Sequence, residues 1–454
     1  MIVRVIVKNI YSFNDETEFN FLPSQASRLK FHRYALGDKE VLKLSAMYGA
    51  NGSGKSNLIK SVALLREFVT TGNIHFKLRE QKYKLAVENL SLPVELGIEF
   101  YFKHKLFYYS IAINEGKVVE EYLCNVEGKD NIDNVIFNRT LQGAETKVLF
   151  HEGFMDERDN SVYANLITKD LLKANKSLLF LLNGLSHEAF GLSREAFEWF
   201  DEFLVIIFPE TRVTSLPVLF DEDTSFKAFA SDMMCSFGTG ISDFFILDMS
   251  AKEYFGDNEH ERIKRITDKL TENPETVAKV VNDTTGEEVH VVNKDGEIIA
   301  KRLCFNHISE NNEKIAFNFH EESDGTRRLI EYIPAWYDLV NSPKTYLIDE
   351  IERSVHPIII KELLTKFSLD RQTKGQLMFS THESNLLDQY ILRTDEIWFA
   401  QKNNQGATQI YSLSSYKEHS TIDIRKGYLN GRYGAIPFIA NLQDLNWHKY
   451  AEQE

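Results

Sequence analysis

The first third of the chain alternates apolar and polar residues in several short runs, which is typical of half-buried β-strands. These runs cover residues 1–7, 95–101, 107–113 and 118–124. A short polar connection at 114–117 joins the last two runs and predicts an antiparallel meander. Residues 41–48 are apolar enough to form a buried strand, and residues 57–68 carry apolar side chains at helical spacing. We therefore predict a strand followed by a helix within a β-rich region.

From about residue 151 onward, apolar residues fall at helical rather than strand spacing. Leucines between 171 and 182 follow this spacing, and residues 196–207 continue it. Residues 252–279 mix both charge signs at i, i+3 and i+4, as on a solvent-exposed helix. This part of the chain is therefore predicted to be helical.

Strand-like patterns return after residue 285. Residues 288–292 and 297–303 are separated by Asn-Lys-Asp-Gly, a sequence that favours a hairpin turn. We therefore predict three parts, listed in chain order: residues 1–150, a helical insertion at 151–285, and residues 286–454.

Composition and charge narrow the protein class. The 454 residues are 43% hydrophobic and 26% charged, as in ordinary globular proteins. No apolar run approaches the roughly 18 residues that span a bilayer, and the first residues lack a signal-peptide pattern. The three scattered cysteines form neither a disulfide framework nor a metal-ligand pattern. We expect a cytoplasmic protein away from membranes, and its net charge of −15 lends no support to nonspecific nucleic-acid binding.

A glycine-rich loop lies between the predicted strand and helix. It reads Gly-Ala-Asn-Gly-Ser-Gly-Lys-Ser, in which the glycines let backbone N–H groups approach phosphates. Lys55 supplies positive charge to the β- and γ-phosphates, and the Ser56 hydroxyl can ligate Mg²⁺. The predicted nucleotide-binding residues are Gly49, Ala50, Asn51, Gly52, Ser53, Gly54, Lys55, Ser56 and Asn57. We therefore expect ATP and Mg²⁺ as cofactors.

Three further motifs fit the same chemistry. Asp349 and Glu350 end an apolar run at 345–350, where the first can hold Mg²⁺ through water and the second can polarise an attacking water. His382 ends another apolar run, although such a residue alone more often has no catalytic role. The motif Ser323, Asp324 and Gly325 opens a helical pattern, for which a simple N-cap is the alternative. The order of all four motifs is more informative than any one of them.

Together the motifs resemble the ABC-type ATPase heads of the family that includes RecF, the SMC proteins and the OLD-like ATPases of phage defence. The resemblance implies an α/β fold, namely a P-loop ATPase head with a mixed sheet, helices and an antiparallel β-meander, interrupted by a helical insertion. Residues 49–56 resemble its Walker A loop, 347–350 its Walker B strand, His382 its switch histidine and Ser323 to Gly325 its signature.

The similarity is strongest to stand-alone bacterial ATPases of phage-defence systems, such as the ATPase subunit of the phage anti-restriction-induced system. Their Walker B strand continues as Asp-Glu-Ile-Glu-Arg-Ser-x-His-Pro, which residues 349–357 match, and residues 431–437 resemble their C-terminal loop. Glu322 and Thr326 depart from transporter signatures and fit the RecF-like branch better. No glutamine is assigned to the family's Q-loop.

The resemblance also implies roles for individual residues. Lys55, Glu350 and His382 would be catalytic, Ser56 and Asp349 would hold Mg²⁺, and the signature would reach the γ-phosphate bound by a second subunit. Two chains would then pair head to tail, and assembly into a larger ring is an alternative. Arg327 and Arg328 either complement the phosphates or face solvent.

Three uses of such an ATPase compete. In the first, it is the sensor subunit of an anti-phage system that controls a separate effector, for example a Toprim or HNH nuclease. A phage protein is a candidate for the trigger of such a system. The roughly 70 residues after His382 are too few for a Toprim domain of its own. In the second, it is a RecF-like DNA-repair clamp on duplex DNA. In the third, it is a scaffold that binds ATP with little turnover. We expect partner contacts within residues 151–285.

Overall fold

The computed structural model describes most of the chain. The described residues are 1–37, 39–127, 132–143, 145–151, 154–156, 158–213, 216–250, 253–254, 260–272, 278–281, 288–294, 297–416 and 422–437. They form two compact units that alternate along the sequence. The first unit comprises Met1–Ile207, Pro343–Ile351 and Leu364–Glu454, and the second comprises Phe208–Ser342 and Glu352–Leu363. The division at residues 150 and 285 stays a prediction.

Strands and helices are numbered in chain order. The strands are β1 (Ile2–Lys8), β2 (Thr17–Asn20), β3 (Arg33–Leu36), β4 (Lys39–Leu42), β5 (Leu44–Tyr48), β6 (Val94–Phe102), β7 (Lys105–Asn114), β8 (Lys117–Glu127), β9 (Ile132–Gln142), β10 (Glu145–Phe150), β11 (Leu204–Ile207), β12 (Ile241–Ser250), β13 (Ala278–Val281), β14 (Glu288–Lys294), β15 (Glu297–Ile308), β16 (Lys314–Asn318), β17 (Thr345–Ile348), β18 (Gln376–Thr381), β19 (Ile397–Lys402) and β20 (Thr408–Ser412). The α-helices are α1 (Lys55–Thr71), α2 (Lys77–Glu80), α3 (Arg158–Leu166), α4 (Leu178–Asn183), α5 (Gly191–Glu198), α6 (Leu216–Glu222), α7 (Thr224–Ser236), α8 (His260–Glu272), α9 (Asp324–Asn341), α10 (Pro357–Leu369) and α11 (Ile424–Leu429). In the described part of the chain, none of the helices has both the length and the apolarity to cross a bilayer.

The first unit contains the predicted meander. Strands β6 to β10 pair antiparallel with their neighbours in sequence, and β1 and β2 extend the sheet in the order β10-β9-β8-β7-β6-β1-β2. Phe100, Tyr109 and Ile111 are buried at alternating positions of these strands. At the β7–β8 turn, Glu115 and Gly116 both have positive φ, which a tight two-residue hairpin connection requires. The predicted antiparallel meander is confirmed.

The second sheet of this unit has the order β11-β17-β18-β5-β19-β20. Its first five strands are parallel, and β20 pairs antiparallel with β19. Every residue of β5, β17 and β18 is buried, as in parallel sheets that are covered on both faces. Strand β18 separates β5 from β17. The carboxyl ends of these three strands carry three of the predicted motifs.

Two predictions for this sheet are wrong in detail. The predicted strand 41–48 is divided between β4 and β5, with Lys43 between them. The Lys43 ammonium donates hydrogen bonds to Phe367 O at 2.8 Å and to Asp370 O at 2.7 Å. The end of the predicted helix 196–207 is strand β11, paired parallel to β17. A short apolar run fits a buried strand as well as a helix, and only the neighbouring strand decides between them.

Gln376, the first residue of β18, joins strand β18 to the meander. Its side-chain oxygen accepts from Ile2 N at 2.7 Å. Its side-chain nitrogen donates to Ile2 O and to Leu42 O, both at 2.9 Å. Gln376 is fully buried, and these three bonds fix the start of β18 against β1 and β4.

The second unit is built on an antiparallel sheet in the order β12-β15-β14-β13, with β16 also paired to β15. The predicted hairpin is confirmed as β14 and β15, and part of its turn lies outside the described residues. Leu270 of α8 packs against Val280, Val289 and Val291 of this sheet. The predicted charged helix within 252–279 corresponds to α8, but Ala278–Val281 forms strand β13 instead.

A buried ion pair holds the meander to the helical segment that follows it. Glu121 and Arg139 are both inaccessible to solvent, and Arg139 donates to the Glu121 carboxylate at 3.1 Å. The same carboxylate accepts from Tyr109 OH at 3.0 Å. It also accepts from the first amides of α4, at Leu178 and Leu179, at 2.8 and 3.0 Å. The negative charge therefore neutralises Arg139 and caps the helix.

Glu121→Gln should destabilise the first unit by about 3 to 5 kcal/mol, because it leaves the Arg139 charge buried without a counter-charge. Chemical denaturation followed by circular dichroism measures this change. Glu120→Gln is the matched control, because Glu120 is the exposed neighbour on the same strand. Equal stability of the two variants would show that the buried pair contributes no more than a surface carboxylate.

Candidate functional site

The glycine-rich loop runs from the end of β5 to the start of α1. Gly54 has a φ of 111°, and a Cβ there would lie 2.1 Å from Thr408 Oγ1. A Cβ on Gly49 would lie 2.4 Å from the backbone oxygen of Ala400. Both positions therefore require glycine, one for conformation and space and the other for space. Asn51 and Gly52 at the tip of the loop are exposed.

Lys55, the first residue of α1, folds back across this loop. Its ammonium is buried and donates to Gly49 O at 2.8 Å and to Ala50 O at 3.2 Å. It also lies 3.4 Å from His382 Nδ1. An ammonium has no lone pair, so His382 Nδ1 accepts in this contact. The structure thus brings two residues 327 positions apart in sequence into one site.

Ser56, the residue after Lys55, contacts Asp349. Ser56 donates to Asp349 Oδ1 at 3.0 Å, and Ser380 donates to the same oxygen at 2.5 Å. Glu350, the next residue, has a φ of 50°, and its N–H donates to Ser380 Oγ at 2.8 Å. The predicted Walker A and Walker B residues are therefore in direct contact through side-chain oxygens.

The donors and spaces in this site fit a magnesium nucleotide. The Ser53 hydroxyl is buried within the loop, and among the residues that the structure describes it has no hydrogen-bond partner. A phosphate oxygen can accept a hydrogen bond from such a group. Ser56 Oγ and Asp349 Oδ1 are hard oxygen ligands of the kind that Mg²⁺ prefers. Backbone amides at the N-terminus of α1, which is 17 residues long, favour an anion.

A known domain family matches most of the chain. The family is described as AAA domain, putative AbiEii toxin, Type IV TA system, and its match covers residues 44–204 and 215–388. The chain belongs to this family. The match includes the Walker A loop, the signature, the Walker B strand and His382, and it confirms the ATPase family predicted from these motifs. The α/β fold class predicted for an ABC-type P-loop ATPase head with a β-meander is confirmed as well.

Three solved structures of SMC heads are similar to this AAA-domain chain. An SMC head bound to the C-winged helix domain of ScpA is 10% identical with a TM-score of 0.39, and the alignment covers 90% of this chain and 97% of that one. The SMC head domain from Thermotoga maritima is 11% identical with a TM-score of 0.34, covering 90% and 98%. An SMC head with an extended coiled coil, bound to the C-terminal domain of ScpA derived from Pyrococcus furiosus, is 10% identical with a TM-score of 0.38, covering 95% and 98%. Comparison with curated proteins returned no match.

The signature of the AAA domain lies in the second compact unit. Ser323 caps α9, because its hydroxyl accepts from Thr326 N at 3.1 Å. Ser323 and Asp324 are exposed, and a Cβ on Gly325 would lie 2.7 Å from Ser354 O. The N-cap alternative is therefore correct as a description of local structure. A role in phosphate binding stays a prediction.

Neither expectation for Arg328 of the AAA domain is correct. Its guanidinium is buried and donates to Phe208 O at 3.0 Å and to Thr211 O at 3.1 Å. It also pairs with Glu331 at 3.3 Å. Arg327 pairs with Asp324 of the signature. Arg328 is a structural residue because these carbonyls and Glu331 use its donors.

Sequence reasoning missed the residues that support the glycine-rich loop. Thr408 Oγ1 lies 2.7 Å from Ser53 O and 2.8 Å from Ser12 Oγ. Asn57 in α1 donates to Ser12 Oγ at 2.8 Å. Single serines and threonines far apart in sequence carry no motif, so only the fold reveals this support.

Proposed function

We propose that this protein is an ATP hydrolase that assembles head to tail around ATP and serves as the ATPase and sensor subunit of an anti-phage defence system. The observation that carries the ATPase proposal is the contact between Ser56 and Asp349, 3.0 Å apart, beside Lys55 and His382. Asp349 and His382 directly follow β17 and β18, and Lys55 and Ser56 begin α1. Together they supply the groups that phosphoryl transfer needs.

The proposed chemistry divides among a few side chains. Lys55 binds and orients the β- and γ-phosphates, and Ser56 and Asp349 hold Mg²⁺. When bound, the metal neutralises negative charge on the phosphate oxygens. Glu350 follows Asp349 in a left-handed turn and orients the attacking water as general base. His382 lies beside Lys55, where it can contact the γ-phosphate end of the nucleotide.

The head-to-tail arrangement explains an exposed signature. Ser323 and Asp324 begin the 18-residue helix α9 and are accessible to solvent. The free amides and dipole of such a helix end favour an anion, which we assign to the γ-phosphate bound by a second copy of the chain. Loss of this phosphate on hydrolysis would release the contact and loosen the dimer.

The defence role rests on the family. Its description names a putative toxin of a Type IV TA system, which favours a protein that controls a harmful activity over a general housekeeping enzyme. We propose that a separate effector, such as a nuclease, carries the toxic chemistry. A nuclease-like gene beside this one would support that assignment, whereas a recombination operon together with salt-dependent binding of duplex DNA would support a repair clamp.

Mixing two inactive variants tests the shared site. Ser323→Arg should keep ATP binding but lose hydrolysis, and Lys55→Ala should bind ATP more weakly and also lose hydrolysis. In a mixed dimer, one site combines an intact Walker half with an intact signature. Mixing should therefore restore up to about a quarter of the wild-type rate, because half of randomly formed dimers are mixed and each holds one complete site.

Different affinity tags on the two variants verify that mixed dimers form. If such dimers form and hydrolyse no ATP, or if Ser323→Arg alone hydrolyses ATP at the wild-type rate, the head-to-tail site is wrong.

A further inference from the structure

Ser380 lies on the strand that separates β5, which precedes the Walker A loop, from β17, which carries the Walker B motif. It is the fifth residue of β18, the strand between β5 and β17, and its side chain is fully buried. No motif contains it. A serine in a strand that is otherwise mostly apolar needs hydrogen-bond partners, because an unpaired buried hydroxyl is costly.

Three hydrogen bonds join Ser380 to the turn that follows β17. Its hydroxyl donates to Asp349 Oδ1 at 2.5 Å. Ser380 Oγ also accepts a hydrogen bond from Glu350 N–H at 2.8 Å, and the backbone oxygen of Ser380 accepts from Ile351 N–H at 3.2 Å. A hydroxyl has a single proton to donate. Because the Glu350 N–H bonds to a lone pair of Ser380 Oγ, the Ser380 proton is directed to Asp349. Ser380 therefore contacts three consecutive residues in three different ways.

These contacts fix the Asp349 carboxylate and the backbone of Glu350. Asp349 Oδ1 receives Ser56 from one side and Ser380 from the other, which fixes its rotation. Glu350 adopts a φ of 50°, a strained conformation for a non-glycine residue that persists only where the surrounding structure holds it. The Ser380 hydroxyl holds it by taking the Glu350 N–H.

We propose that Ser380 is a positioning residue for ATP hydrolysis, which orients the metal-binding Asp349 and the general base Glu350 with one hydroxyl. This inference rests on the proposed function. It assigns Ser380 no contact with the nucleotide and no proton transfer to it. Removal of the hydroxyl should therefore affect the Mg²⁺-dependent part of nucleotide binding and the chemical step, while nucleotide binding without metal should persist.

The test compares Ser380→Ala, Ser380→Thr and Ser45→Ala with the wild type. Ser45 is the matched control, because it is a buried serine on the neighbouring strand β5 whose hydroxyl donates to Glu396 O instead. Affinity for ATP is measured by calorimetry with EDTA and again with Mg²⁺, and kcat and KM are measured separately. Circular dichroism verifies that each variant folds.

Ser380→Ala should bind ATP in EDTA within about threefold of the wild type. It should lose about 10- to 100-fold of either the affinity gained from Mg²⁺ or kcat, as is typical when a group that orients a metal ligand is removed. Ser380→Thr keeps the hydroxyl and should recover most of the loss, and Ser45→Ala should show none.

Other outcomes separate the two proposals. An unchanged Mg²⁺ gain and kcat in Ser380→Ala would overturn the positioning role and leave the ATPase proposal intact. Equal losses in Ser45→Ala would also overturn it, since they would reflect a general effect on packing. A wild type that binds MgATP without hydrolysing it would overturn the proposed activity, and the Mg²⁺ gain would then decide the role of Ser380 alone.

Discussion

Glu350→Gln protein should bind ATP with near wild-type affinity and hydrolyse it about 100- to 10,000-fold more slowly, the usual contribution of a general base. Glutamine has the shape of glutamate but cannot take a proton from water. The backbone of Glu350 is fixed by Ser380 Oγ at 2.8 Å, which the substitution leaves in place. The Walker A loop and the pair of Ser56 and Asp349 are also untouched, so the nucleotide keeps its binding groups.

The same variant should accumulate as ATP-dependent dimers, because the γ-phosphate that bridges two copies is no longer removed. Size-exclusion chromatography with light scattering, with and without ATP, measures this change, and phosphate release measures hydrolysis. Glu362→Gln, an exposed glutamate on α10, is the control and should behave as wild type. Wild-type hydrolysis by Glu350→Gln would show that another group acts as the base.

Lys55→Ala should weaken ATP binding by about 10- to 100-fold, which corresponds to the loss of hydrogen bonds from a charged donor to phosphate. Hydrolysis should fall further, because the ammonium also stabilises charge in the transition state. The Lys55 ammonium already lies among the loop carbonyls of Gly49 and Ala50, so the nucleotide meets it at the loop. Titration with a fluorescent ATP analogue measures the affinity.

Lys60→Ala is the matched control for this variant. Lys60 is exposed on the same helix α1, and its removal changes the net charge by the same amount. If both variants lose affinity equally, the effect is a general reduction of positive charge. If neither loses affinity, the nucleotide does not bind at the Walker A loop.

The positions of the candidate-site motifs were largely predictable because each motif consists of residues that are close together in the sequence. The glycine pattern of the Walker A loop and the two carboxylates after β17 each occupy consecutive positions, and a strand or helix at each end places them. Alternation also predicted β6, β7 and β8, and in β7 most buried positions alternate with partly exposed ones, as in a strand with one buried face. Local sequence carries this information whatever the rest of the chain does.

Residues that act through the tertiary structure left no such signal. Ser380, Thr408 and Ser12 are single hydroxyls whose partners lie 30 to 396 positions away in the sequence. The burial of Arg328 depends on two carbonyls after β11, more than 110 positions upstream. The strand β11 itself was predicted as helix, because its pairing with β17 is invisible in an apolar run.

The Gln376 side chain, which is hydrogen-bonded to Ile2 and Leu42, influences the candidate site from a distance by fixing the start of β18. Ser380 is four residues along the same strand, about 13 Å away. A slip of this strand by a single position would turn Ser380 to the opposite face of the sheet and carry its hydroxyl away from Asp349 and Glu350. Alignment secured at one end of a strand thus determines the position of the Asp349 carboxylate and the Glu350 backbone at the other end.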